Sequence, residues 1–144
     1  GGTKNGLLGC EAVVLFDSEA ATDFRYRRKQ AMQLPSKTRF IASQFRAYLR
    51  NDLWKDIASH GNDMATRLYT QIRETEGISI PYPVESNAIF AIIPKAWVKP
   101  LRRSHFFYVW ENDPCMVRLM TSFDTTDAEI TALAMAMASQ KPNG

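Results

Sequence analysis

Ser86-Asn87-Ala88-Ile89-Phe90-Ala91-Ile92-Ile93 is the stretch that decides how this chain folds. Pro81 and Pro83 fix an extended approach to it, and its apolar, β-favourable residues read as a strand. A strand needs partners for its backbone groups, and the nearest candidates lie downstream. Residues 106–110 and 115–122 read as a hairpin across the turn-like Glu111-Asn112-Asp113-Pro114. Residues 94–103 suit a short helix by composition. Residues 126–139 predict a closing helix with Thr126 as its cap and Asp127 and Glu129 in its first turn. The tail Lys141-Pro142-Asn143-Gly144 is expected to fray.

Upstream of the strand the period changes from two to 3.6. Ile41, Phe45, Tyr48 and Leu49 share one helical face, and Leu53, Ile57, His60, Met64, Leu68 and Ile72 share a second. Asn51 or Asp52 supplies a cap between them, which gives two helices or one kinked there, and Gly77 is a helix stop. Gln33-Leu34-Pro35-Ser36 breaks the pattern before them. Ser18 and Asp23 precede a charged stretch suited to a short helix. Residues 11–16, Glu11-Ala12-Val13-Val14-Leu15-Phe16, read as a buried strand, and an isolated strand leaves both edges unpaired, so it must belong to a larger sheet. The order suggests two pieces: one to about residue 36, and a self-contained α+β unit with an antiparallel sheet and helices.

Composition sets the bounds. Of 144 residues, 45% are hydrophobic and 23% charged, the profile of a soluble globular domain with a sizeable core. No apolar run approaches the length of a bilayer span, and no signal-peptide pattern is present, so no membrane role is expected. Cys10 and Cys115 lie far apart without metal-ligand spacing, which argues for a reducing, cytoplasmic setting and no metal. A net charge of +3, with cations scattered over several elements, gives no reason to expect a nucleic-acid partner. The chain begins at Gly1 without a Met, which suggests a piece of a longer polypeptide.

The chemistry concentrates at the start. Gly1-Gly2-Thr3-Lys4-Asn5-Gly6 presents one amine in a glycine-rich loop with no bulky neighbours. A phosphate-binding loop needs Gly before its lysine and Ser or Thr after it, whereas Thr3 and Asn5 stand in those places. A Schiff-base lysine is the better reading, since a neutral amine can be produced by neighbouring cations or desolvation, and Arg25, Arg27, Arg28 and Lys29 follow. His60 shares an apolar face with Ile57, Met64 and Leu68 and reads as a hydrogen-bonded packing residue; His105 has no partner at catalytic spacing. Trp54, Trp97 and Trp110 read as core or interface anchors, and Met135 and Met137 as ordinary packing.

Five segments in order carry a family resemblance. They are Gly2-Thr3-Lys4-Asn5-Gly6 with Glu11-Ala12-Val13-Val14; Gln33-Leu34-Pro35-Ser36-Lys37-Thr38-Arg39-Phe40; His60-Gly61-Asn62-Asp63-Met64-Ala65; Asn87-Ala88-Ile89-Phe90; and Val117-Arg118-Leu119-Met120-Thr121-Ser122-Phe123. Together the chain resembles the carboxy-terminal half of a threonine aldolase, a pyridoxal phosphate enzyme of the aspartate aminotransferase-like fold (fold type I, α/β). The resemblance implies that residues 1–36 end the large cofactor-binding domain, 37–76 form linking helices and 77–144 the small domain. It implies that Lys4 is the catalytic Schiff-base lysine carrying pyridoxal 5′-phosphate covalently, with Thr3 and Lys29 near the cofactor. Arg118 falls on the arginine that holds the substrate carboxylate. Lys37 and Arg39 are further candidates, although Met32-Gln33-Leu34-Pro35-Ser36 departs from the glycine run that many members carry there. The implied activity is retro-aldol cleavage of threonine-type substrates to glycine and an aldehyde, within a homo-oligomer and with the missing amino-terminal half as partner. A β-eliminating lyase, an aminotransferase or a non-catalytic remnant are the alternatives.

Overall fold

Three apolar stretches in the second part of the chain find one another and close a small sheet. A computed structural model describes residues 1–140, so the tail from Lys141 expected to fray lies outside the described residues. Two compact units divide between Lys55 and Asp56.

In the second unit β1 (Ala88–Ile92), β2 (Tyr108–Asn112) and β3 (Cys115–Met120) form an antiparallel sheet in the order β1-β3-β2. The central strand is β3, with Phe90 opposite Arg118 on one side and Tyr108 opposite Arg118 on the other. Pleating sends alternate residues to opposite faces. Ile89, Ala91, Val117 and Leu119 thus point to one side, where they are buried, and Phe90 and Arg118 to the other. The register between β2 and β3 slips by one residue between Val109 and Glu111, so Trp110 is an extra, bulged residue. The outer edge of β1 is met in part by Ser79, which exchanges two backbone hydrogen bonds with Ile92 (3.0 and 2.7 Å).

Helices cover the buried face. α4 (Leu53–Ile72) contributes Met64, Ala65, Leu68 and Ile72, α5 (Lys95–Leu101) contributes Trp97 and Leu101, and α6 (Asp127–Ala138) contributes Ile130, Ala134 and Met137. This unit is α+β with an antiparallel sheet, as expected. Gly77 is not the stop of α4, which ends at Ile72; it sits at φ 90° in the following turn. A Cβ there would lie 3.1 Å from the Trp97 ring, so the glycine serves both the left-handed turn and the close approach of the indole. Met135 is exposed, unlike Met137, and Trp54 and Trp110 are roughly half exposed; only Trp97 anchors the core.

The start of α6 follows the capping-box pattern. Thr126 Oγ1 accepts from the Glu129 N–H while the Glu129 carboxylate accepts from the Thr126 N–H at 2.8 Å. That N–H, and then the Thr126 hydroxyl, hold the Glu129 carboxyl below its ordinary value. A lowered folded-state value stabilises fully above the unfolded pKa and is lost as pH falls through the folded one. Independently of that shift, Thr126→Ala removes the N-cap and is expected to cost about 1 kcal/mol at neutral pH, read as a lower urea midpoint at unchanged slope. The difference from the parent protein should narrow as Glu129 becomes protonated in acid.

The first unit is built around α3 (Thr38–Tyr48), preceded by α1 (Ser18–Ala21) and α2 (Phe24–Gln30). Asp17 caps α1 by accepting from the Glu19 N–H. The break near Asn51 is present: Asn51 and Asp52 both take left-handed φ values (52° and 58°), which separates α3 from α4. Residues 11–16 do not form the expected strand. Val13, Val14 and Phe16 are exposed, because no second strand in this unit offers the run backbone partners or an apolar face to cover.

Candidate functional site

Lys4 stands in a single 3-10 turn, Thr3–Asn5, between two glycines with different duties. Gly2 is buried, and a Cβ on it would fall 2.1 Å from the Leu7 side chain; Gly6 closes the turn at φ 94°. The loop is tied back on itself by the Gly2 N–H to the Cys10 carbonyl (2.8 Å) and by the Asn5 and Leu7 N–H groups to the Gly2 carbonyl (2.9 and 3.1 Å). It is tied to α3, and to the first turn of α4, as well. Leu8 N–H donates to Gln44 Oε1 (2.9 Å), Cys10 Sγ to the Ile41 carbonyl (3.2 Å), and Asn5 Nδ2 to the Tyr48 hydroxyl and to the Trp54 carbonyl (3.1 Å). Ile41, Gln44 and Tyr48 are spaced three and four apart, so one helical face receives the loop. Lys4 itself is exposed, with no hydrogen-bond or ion-pair partner among the described residues.

The other candidates of this unit do not gather on the amine. The Thr3 hydroxyl donates to Glu11 Oε1 at 3.0 Å, and that bond, with help from the amino terminus 3.3 Å away, keeps the Glu11 carboxyl below its usual range. Lys29 lies in the last turn of α2, where it complements the helix dipole, and is exposed. Lys37 precedes α3, and the Arg39 guanidinium lies over the Phe40 ring at 5.0 Å. None of the three is bonded to Thr3 or Lys4.

In the second unit the face of the sheet away from the helices' core holds one cation among aromatics. Phe90 and Tyr108 flank Arg118 across β1 and β3 and across β2 and β3, and Trp110 comes from the bulge of β2. The Arg118 guanidinium lies over the Trp110 ring, 5.5 Å from its centroid. Its Nε is buried with no hydrogen-bond partner, and no carboxylate pairs with the guanidinium among the described residues. An unpaired buried donor on a charged group is costly, and an incoming planar carboxylate would satisfy it. Arg118 is the residue that the family resemblance assigns to the substrate carboxylate. The sequence offers Trp110 as an anchor for a core or interface, whereas the structure sets its half-exposed ring beside Arg118.

His60 does what its spacing predicts: Nε2 lies 2.8 Å from the Thr125 carbonyl, locking α4 to the loop before α6. Thr121, buried on the same loop, donates to the Gly61 carbonyl at 2.7 Å. No described helix is long and apolar enough to cross a membrane.

No family model matches the chain. The low-specificity L-threonine aldolase of Pseudomonas aeruginosa is 38% identical over 135 residues, covering 93% of this chain and 39% of that protein. A low-specificity L-threonine aldolase of a Pseudomonas species is 34% identical over 134 residues, with the same coverage. Among solved structures, a threonine aldolase of Leishmania major matches with a TM-score of 0.74 at 27% identity, over 81% of this chain and 34% of that one. The chain thus spans about two-fifths of the length of the curated relatives it matches.

Proposed function

Because the chain is a relative of the threonine aldolases over nearly all of its length, we propose that it is the carboxy-terminal part of a pyridoxal phosphate enzyme that cleaves threonine-type β-hydroxy amino acids to glycine and an aldehyde. In that reading residues 1–36 close the large domain, 37–76 link, and 77–144 form the small domain of a cytoplasmic homo-oligomer. The exposed run Val13-Val14-Leu15-Phe16 supports a first unit that continues a larger body, since a β-favourable apolar segment is stable only with strands beside it.

The residues present fit one end of the cofactor. A primary amine without competing partners, on a turn held by three bonds to α3 and one to the start of α4, suits covalent attachment of an aldehyde. Lys4 would hold that aldehyde through Nζ, with Thr3 beside it and Lys29 as a cation for the phosphate. When bound, the group supplies an electron sink for the bond broken at the substrate's Cα. The chain's own work is placement and proton handling. Arg118 takes the α-carboxylate in a two-pronged grip, fixing one substituent of Cα and so the direction of the scissile bond. The Lys4 amine, when not carrying the cofactor, offers Nζ as a group that can take or return a proton.

The unpaired Arg118 Nε on an aromatic face is the observation that carries this reading, because it asks for an anion that the described residues do not provide. Incubating the full-length protein and cofactor with threonine and, separately, with serine tests it. Glycine and acetaldehyde from threonine are expected; pyruvate from serine in their place would make the protein a β-eliminating lyase. This chain by itself is expected to release neither product.

A further inference from the structure

A guanidinium reached through four rotatable bonds is mobile unless something holds its plane, and two-pronged recognition of a carboxylate depends on that plane. Among the described residues the Arg118 guanidinium has one partner, the face of the Trp110 indole at 5.5 Å. Trp110 sits at the bulge. Alternation from Tyr108 sends its ring to the Arg118 side, and the extra residue between Val109, which faces Val117, and Glu111, which faces Met116, keeps Glu111 off the core side that Val109 occupies. The ring is then steadied from a second strand: Phe90 of β1 meets it edge to face at 5.5 Å and 76°, and Tyr82 meets Phe90 at 6.2 Å and 88°. Trp110 is 55% exposed, so the core of the unit does not require it. A bulge, an aromatic relay and an otherwise unpartnered cation converge on one point.

We propose that Trp110 is a positioning residue for substrate carboxylate binding, acting by holding the Arg118 guanidinium over its indole face with Phe90 and Tyr82 behind it. The proposal rests on the aldolase reading of Arg118. It assigns the open aromatic face of the sheet a specificity role: substrates with a free α-carboxylate are favoured, and the indole sets how firmly.

The test is a double-mutant cycle in the full-length, cofactor-loaded enzyme, with threonine as substrate. Trp110→Leu is expected to lower kcat/KM about tenfold, chiefly through KM, in the range for loss of a partly desolvated cation–π contact. Trp110→Phe, which keeps a π face, should recover most of that loss. In an Arg118→Gln background, where no cation remains to be held, Trp110→Leu should change kcat/KM by less than about twofold. A full, additive effect of Trp110→Leu in that background would overturn the proposal, as would a loss in kcat with KM unchanged, or failure of Trp110→Phe to rescue. If Arg118→Gln alone leaves kcat/KM unaltered, it is the carboxylate reading of Arg118 that fails, and the role of Trp110 with it.

Discussion

Lys4→Ala in the full-length protein is expected to reduce glycine release from threonine by at least about 10²- to 10⁴-fold, the share that proton transfer alone commonly contributes, and further to the extent that the cofactor is no longer held. The reason is that no nearby amine can deputise. Lys29 and Lys37 lie on or beside helices without any bond to the Lys4 turn, and Lys4 is the only lysine in the loop that α3 positions. Two readouts separate cause from collapse. The visible absorption of the bound cofactor should disappear, while the far-ultraviolet circular dichroism stays that of the parent, because the side chain is exposed and its loss opens no cavity. Retained absorption and retained glycine release would sink the assignment of Lys4.

Arg118→Gln carries the second large effect. Removing one member of a hydrogen-bonded charge pair at a binding site costs about 2–5 kcal/mol, or about 30-fold to several thousand-fold in kcat/KM. The loss should fall mainly on KM, since the carboxylate is bound in the ground state and the transition state alike. Arg118→Lys is expected to lie between, because an ammonium supplies charge without the planar fork. Stability should hardly change or even rise: glutamine leaves no unpaired charge where Nε is now buried without a partner. A variant that folds, binds cofactor and keeps its KM would refute the role.

How far residues alone could lead differed between features for physical reasons. The helices at α3, α4 and α6 and the strands at β1 and β3 were legible because their signals are local: apolar period, flanking prolines and a Thr126–Glu129 box. Residues 11–16 failed as a strand because strand formation is a property of pairs, and no partner strand lies within the first unit. The bulge at Trp110 left no mark in the sequence. Tyr108-Val109-Trp110-Glu111-Asn112 looks like ordinary alternation, and only its register against β3 exposes the extra residue. The isolation of the Arg118 guanidinium was equally hidden, since it depends on which side chains the flanking strands do not bring near. The attachment of the lysine loop to α3 links Asn5 with Tyr48, 43 residues on, and such a distance carries no periodic trace.

That attachment says what could be moved to another protein. Residues 1–10 copied onto a foreign scaffold would bring the amine but leave behind its bearings: the Gln44 amide, the Ile41 carbonyl, the Tyr48 hydroxyl and the Trp54 carbonyl. All four of these partners lie within the same compact unit as the loop, Gly1–Lys55. For a designer the amine and its support are therefore separate parts, and variation at Ile41, Gln44 or Tyr48 becomes a means of re-aiming the Lys4 turn without altering the turn itself.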